Sequence, residues 1–172
     1  CLVFNESPHF ESVLQAAGPG FGLGMFTDDC LGSEDHAALV RRLVEHTHLG
    51  AAAVEGELSA LPGVSGDLQR APEDLRLTDP EAARGFAERT GIDALAVNVG
   101  QAHLHGRRRV KLDFARLREL RRTVPVPLVL HGASSIRPND LAEAVELGIR
   151  KINVGSLLKS VYFEALRRGC AA

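Results

Sequence analysis

Pro127-Leu-Val-Leu-His-Gly-Ala-Ser-Ser135 and Lys151-Ile-Asn-Val-Gly-Ser156 are each a short apolar run that passes straight into a turn bearing Gly and Ser, then into a helical pattern. A turn of this kind aims backbone N–H groups and hydroxyls at one spot beside the positive end of a helix dipole. That suits a phosphate. A lone Gly-Ser turn carries little information. Two in tandem, one of them preceded by His131 at a strand end, specify much more.

Outward from these turns the same alternation runs through the chain. Strand-length apolar runs stand at Leu2–Phe4, Gly22–Phe26, Ala51–Leu58, Ala94–Val99, Leu128–Leu130 and Ile152–Val154. Helical patterns fall between and after them: Phe10–Ala17, Asp35–His46, Pro80–Thr90, Asp113–Arg122, Pro138–Leu147 and Ser156–Arg168. Ser33, Thr78-Asp79-Pro80-Glu81 and Asn139-Asp140 are candidate helix starts, and Gly91 and Gly148 are candidate stops. The strands are near-continuous Val/Leu/Ala runs, which predicts burial on both faces. Repeated βα units with buried strands predict a parallel sheet with helices outside it. The expected architecture is α/β, about six βα units of a (β/α)8 TIM barrel, forming one domain over residues 1–172. Its tandem turns then occupy the place where such barrels bind phosphate, after strands seven and eight. Ser59–Leu77, with Pro62, Gly63, Gly66 and Pro72, is the one long loop, of a length that is usually functional or mobile.

The 172 residues, 45% hydrophobic and 24% charged, suffice for one domain with a real core. A net charge of -2 argues against a nucleic-acid partner. Arg107-Arg108-Arg109, the densest basic cluster, suits an anionic small molecule or plain solvation. No apolar run has the ~20 residues of a membrane helix. Cys1, Cys30 and Cys170 have no metal-like spacing, and a reducing, cytoplasmic compartment is the simplest reading. The chain opens on Cys1 inside an apolar run, so its N-terminal part is expected to be missing.

In parallel α/β folds the chemistry gathers at the C-terminal ends of the strands. The strands deliver Asn5 and Glu6; Thr27, Asp28, Asp29 and Cys30; Glu55 and Glu57; Asn98, Gln101, His103 and His105; His131; and Asn153. Histidines from different strands together with carboxylates suit a divalent metal, most naturally zinc. His131 should be fixed and inward-facing, as a ligand or equally as a hydrogen-bonded structural histidine. His103 or His105 is a ligand or an exposed loop residue. One of Glu55 and Glu57 should face the interior, where a carboxylate needs a partner or a metal; otherwise both lie at a solvated rim. His9, His36, His46 and His48 read as surface residues.

Together these residues resemble the class II, zinc-dependent fructose-bisphosphate and tagatose-bisphosphate aldolase family. Leu77-Thr-Asp-Pro-Glu81 and Thr90-Gly-Ile-Asp-Ala-Leu-Ala-Val97 are similar to its sixth βα unit. Lys111-Leu-Asp-Phe114, Pro127–Ser135 and Lys151–Ser156 are similar to its last landmarks, and Val54-Glu-Gly-Glu-Leu58 to its Val-Glu-Ala-Glu-Leu strand. The resemblance implies a zinc or other divalent metal site made of Glu6, His103, His131 and Glu57. His103 is placed by standing eight residues before the Lys-Leu-Asp-Phe motif. It implies that Gly132, Ser134, Asn153, Ser156 and Arg107 bind the phosphate or dihydroxyacetone part of a substrate. The implied activity is reversible aldol cleavage of a ketose phosphate to a triose phosphate and an aldehyde, in carbohydrate metabolism of the glycolytic kind, by a homo-oligomer (dimer or tetramer). Two departures stand out. Asn5-Glu6-Ser7 occupies the place of the family's Asp-His-Gly, so the acid/base Asp is replaced by Asn5. The family's Gly-Gly-Glu-Glu-Asp-Gly loop is missing from Ser59–Gly66. Asp28, Asp29 and Glu55 are candidate substitutes, Asp28 and Asp29 foremost for the acid/base. The alternatives are a non-catalytic sugar-phosphate-binding or subunit-interaction homologue, and a lyase acting on another phosphorylated substrate.

Overall fold

A computed structural model describes residues 2–17, 20–58, 61–63, 72, 75–104 and 109–170. Six βα units follow one another: β1 (Leu2–Ser7), α1 (Phe10–Ala16), β2 (Phe21–Phe26), α2 (Ser33–Thr47), β3 (Ala53–Glu57), α3 (Pro80–Thr90), β4 (Ala94–Ala96), α4 (Phe114–Thr123), β5 (Leu128–Leu130), α5 (Pro138–Glu146), β6 (Ile149–Ile152) and α6 (Ser156–Cys170). All strand pairs are parallel and the sheet order is β1-β2-β3-β4-β5-β6. An order with no reversal has no switch point, unlike a doubly wound sheet. The sheet also curls. Asn5 on the first strand and Asn153 just past the last lie within a hydrogen bond, 3.0 Å, with four strands between them. Neighbouring strands are ~4.8 Å apart, so a flat sheet would hold those residues more than 20 Å apart. The architecture is a partial (β/α)8 barrel.

Strand register sorts the side chains onto two faces. Leu95 pairs with Leu128 and Leu128 with Ile149, all on the convex side. There, with Val54 and Leu130, they join the main core under Val40, Leu43, Phe86, Leu117 and Leu120 of the helices. On the concave side Met25 pairs with Glu55, Glu57 with Ala96, Ala96 with Val129, and Val129 with Lys151. Met25, Ala96 and Val129 form a small separate apolar cluster in the barrel interior. Glu55 and Glu57, two residues apart, therefore face inward together, and both are buried. The expectation that only one would do so is corrected by the two-residue period of a strand.

The helix ends are set locally. Asp79 caps α3 by accepting from Ala82 N at 2.8 Å, with Pro80 in the first turn, and Gly91 closes it in the left-handed region. Asp113 caps α4 in the same way. Asp140 does not cap α5. Its carboxylate accepts from Leu112 N instead, tying α5 to the segment before α4. Ser33 is the first residue of α2 rather than its cap, which is Gly32. β6 starts at Ile149, straight after Gly148, three residues before the apolar signal at Ile152. His36 is buried rather than exposed. It stacks on Phe86 and leans on Phe26, because α2 turns that residue onto the sheet. α6 buries none of its residues, and Leu157, Leu158, Val161, Tyr162, Phe163 and Leu166 are exposed.

Candidate active site

Inward-facing residues at the C-terminal strand ends meet in a cavity of about 780 Å³ lined by Asn5, Glu6, His103, His131 and both tandem turns. His131 follows β5 directly and is fully buried. Gly132, in the left-handed region at φ 65°, bends the chain away from it, and a Cβ there would stand 3.3 Å from the Ala102 carbonyl. Both ring nitrogens of His131 meet carboxylates. Nδ1 contacts Glu6, and Nε2 lies 2.6 Å from Glu55. Lys151 Nζ donates to the other oxygen of Glu55 at 2.8 Å and to Asn153 Oδ1 at 2.6 Å. Asn153 Nδ2 donates to Asn5 Oδ1 and also stands 3.0 Å from His131 Nε2.

These contacts set the charges. Burial opposes a charged His131 ring, but hydrogen bonds and the charges of Glu55 and Glu6 outweigh it and push its pKa up to about 9. For Glu6 and Glu55 burial acts upward, and the partners, His131 foremost, hold both carboxyls below their ordinary value. Glu57 is different. Burial, reinforced by Glu6, Glu55 and Asp29, raises it to about 8 against the pull of His131.

The two turns are joined to each other. Ser134 Oγ accepts from Leu157 N at the start of α6, 3.1 Å away. Arg109 Nη1 donates to the carbonyls of Ser134 and Ile136 at 2.7 and 3.0 Å, so this arginine holds the turn in place. Gly132, Ser134, Asn153 and Ser156 all line the cavity.

A family model for class-II fructose-bisphosphate aldolase matches residues 6–171. This chain belongs to the class-II fructose-bisphosphate aldolase family. Its fold is similar to that of the YdjI aldolase from Escherichia coli K12, at 30% identity and a TM-score of 0.76, covering 96% of this chain and 56% of that one. It is also similar to a protein from Coccidioides immitis described as a fructose-1,6-biphosphate aldolase, at 30% identity and 0.78, covering 96% and 59%. The fold alone is shared with fructose-bisphosphate aldolase from Campylobacter jejuni, at 20% identity and 0.75, covering 97% and 54%. The chain thus spans little more than half the length of these solved structures.

Of the metal residues that the sequence suggests, Glu6, His103 and His131 line the one cavity, and Glu57 is buried. Two imidazoles and a carboxylate are the donor chemistry of catalytic zinc sites, so the set fits a divalent cation in kind. The charge pattern sets a condition on that fit: Glu6 and Glu55 hold His131 as a positive ring, and a proton must leave Nδ1 before that nitrogen can bind a cation. Among the described residues no group of three or more His, Cys, Asp or Glu side chains is gathered closely enough to hold an ion as it stands. Asp28 and Asp29 follow β2, and neither is among the described residues lining the cavity. Asp28 accepts from Cys30 N in a local turn. Arg107, His105 and much of the Ser59–Leu77 loop lie outside the described residues. Sequence reasoning gave Lys151 no role. Its signal was the register of β6, where Lys151 falls two residues before the inward-facing Asn153. No helix among the described residues is long and apolar enough to cross a membrane.

Proposed function

We propose that this chain carries the site of a metal-dependent, reversible aldol cleavage of a ketose phosphate, giving a triose phosphate and an aldehyde. One observation supports it most: Glu6, His103 and His131 share a single cavity with the tandem turns at Gly132–Ser134 and Asn153–Ser156. Glu6, His103 and His131 are the residues to hold zinc or another divalent cation, with Glu57 as an auxiliary carboxyl. When bound, the cation supplies Lewis-acid polarisation of the substrate carbonyl. The turns fix the phosphate at the start of α6, where the helix dipole favours it, and so hold the reacting carbons in place. Asn5 has no proton to exchange at neutral pH. Proton transfer then falls to a carboxyl: Asp28 or Asp29 at the end of β2, or Glu57, which burial raises to about 8 in the metal-free protein and which carries a proton only when it is not binding the cation.

The test is cleavage of fructose and tagatose bisphosphates by the purified chain with zinc chloride, coupled to detection of triose phosphate. Turnover that disappears in H131A and on chelation is expected. Turnover indifferent to both would overturn the reading.

A further inference from the structure

We propose that Glu55, anchored by Lys151, is a positioning residue that fixes the His131 ring with Nε2–H turned into the barrel and Nδ1 toward the cavity. The register makes the contact possible. Glu55 on β3 reaches His131 beyond β5 over the intervening strand β4, whose inward residues are Ala94 and Ala96. Larger side chains there would separate the two groups. From the far side Lys151, paired with Val129, sends Nζ across the same face to Glu55 Oε2, leaving Oε1 for the ring at 2.6 Å. One carboxylate thus spans an ammonium and an imidazole, and both of its oxygens are used. Asn153, held by the same Lys151, faces Nε2 with its own donor Nδ2 at 3.0 Å and cannot accept the ring proton, so the acceptor for Nε2–H is the Glu55 oxygen.

A buried ion pair by itself adds little net stability. What this one supplies is direction. An imidazole that serves through one nitrogen is oriented by the hydrogen bond made at the other, and loss of such an orienting group typically costs 10–100-fold in metal affinity. The inference rests on His131 being a site residue, as proposed above.

The test uses the full chain with ¹⁵N-labelled histidine, first metal-free and then titrated with zinc chloride by calorimetry. The unsubstituted chain should show a protected Nε2–H resonance, assigned by its absence from H131N. Glu55→Ala should lose that resonance and bind zinc about 10–100-fold more weakly. Glu55→Gln keeps an acceptor oxygen, so it should retain the resonance and most of the affinity. If Glu55→Ala fails to fold, Glu55→Leu combined with Lys151→Met removes both charges and carries the same expectation. An Nε2–H resonance that survives loss of Glu55, or a Gln variant as impaired as Ala, overturns the proposal. A chain that binds no zinc while showing the expected resonances counts against the functional reading above and leaves the ring-positioning role supported.

Discussion

Glu55 and Glu57 stand two residues apart on one strand, face the same way, and differ in charge state because, among the described residues, cations are bonded to Glu55 and not to Glu57. The sign of the pH effect follows. Glu57 has a folded pKa near 8 against an ordinary 4.5, so its contribution to stability is full below about 4.5 and is lost as pH rises through 8. His131, raised from 6.5 to about 9, acts in the same direction over its own window. The metal-free protein should therefore lose stability between pH 5 and 9, by an amount on the order of a few kcal/mol. Glu57→Gln should remove Glu57's share, which is the loss between about pH 5 and 6.5 and part of that up to 8, and leave His131's share between 6.5 and 9; urea denaturation at stepped pH checks it. A Gln variant with the parent's full slope would show that Glu57 is ionised throughout. The residue scale is also where the sequence was least legible. Glu6, His103, His131 and Glu57 could be named from motifs. The Lys151–Glu55–His131 chain could not, because it depends on which side chains share a face across three strands.

At the scale of elements, two glycines show what a sequence cannot distinguish. Gly56 on β3 faces the helices, and a Cβ there would lie 2.8 Å from the Phe86 ring and 2.9 Å from Ile92. Gly85, on α3, would place its Cβ in open space. Gly56→Ala should destabilise by about 1–3 kcal/mol through overpacking. Gly85→Ala should stabilise by roughly 0.5–1 kcal/mol through helix propensity. Thermal or urea unfolding of both variants tests the packing of α3 on the sheet, and a neutral Gly56→Ala would count against it. Among the described residues the six α-helices and six strands were legible as elements, because apolar runs and local caps such as Asp79 are written in adjacent residues. Ends set by tertiary contact were not. Asp140 serves Leu112 rather than its own helix, β6 begins at Ile149, and α2 carries His36 into an aromatic stack.

Over the whole molecule, the site exists because the sheet curls until residues from its two edges touch. Asn5 on β1 bonds Asn153 beyond β6, and Glu6 reaches His131 across the interior. The parallel order and the barrel class could be read from the alternation of elements. Asn5 at the place of the family's acid/base aspartate is an expectation from the sequence, but the curl's consequence, the hydrogen-bonded pairing of Asn5 with Asn153, could not be read. That place decides the last prediction. Asn5 lines the cavity and its side-chain oxygen already faces Asn153 Nδ2 at 3.0 Å, so Asn5→Asp puts a carboxylate at the same spot with its hydrogen-bond partner kept. General acid–base help is typically worth about 10²–10⁴-fold in rate. Cleavage of fructose bisphosphate by the unsubstituted chain with zinc should be weak, and Asn5→Asp should raise kcat toward that range with little change in KM. Asp28→Ala/Asp29→Ala and Glu57→Gln, assayed alongside, locate whatever proton transfer the native site has: the variant that lowers kcat marks the group. If native turnover is already at ordinary aldolase levels and survives both of those changes, proton transfer at this site does not run through β2 or β3, and the assignment of Asn5 as the missing acid/base position fails with it.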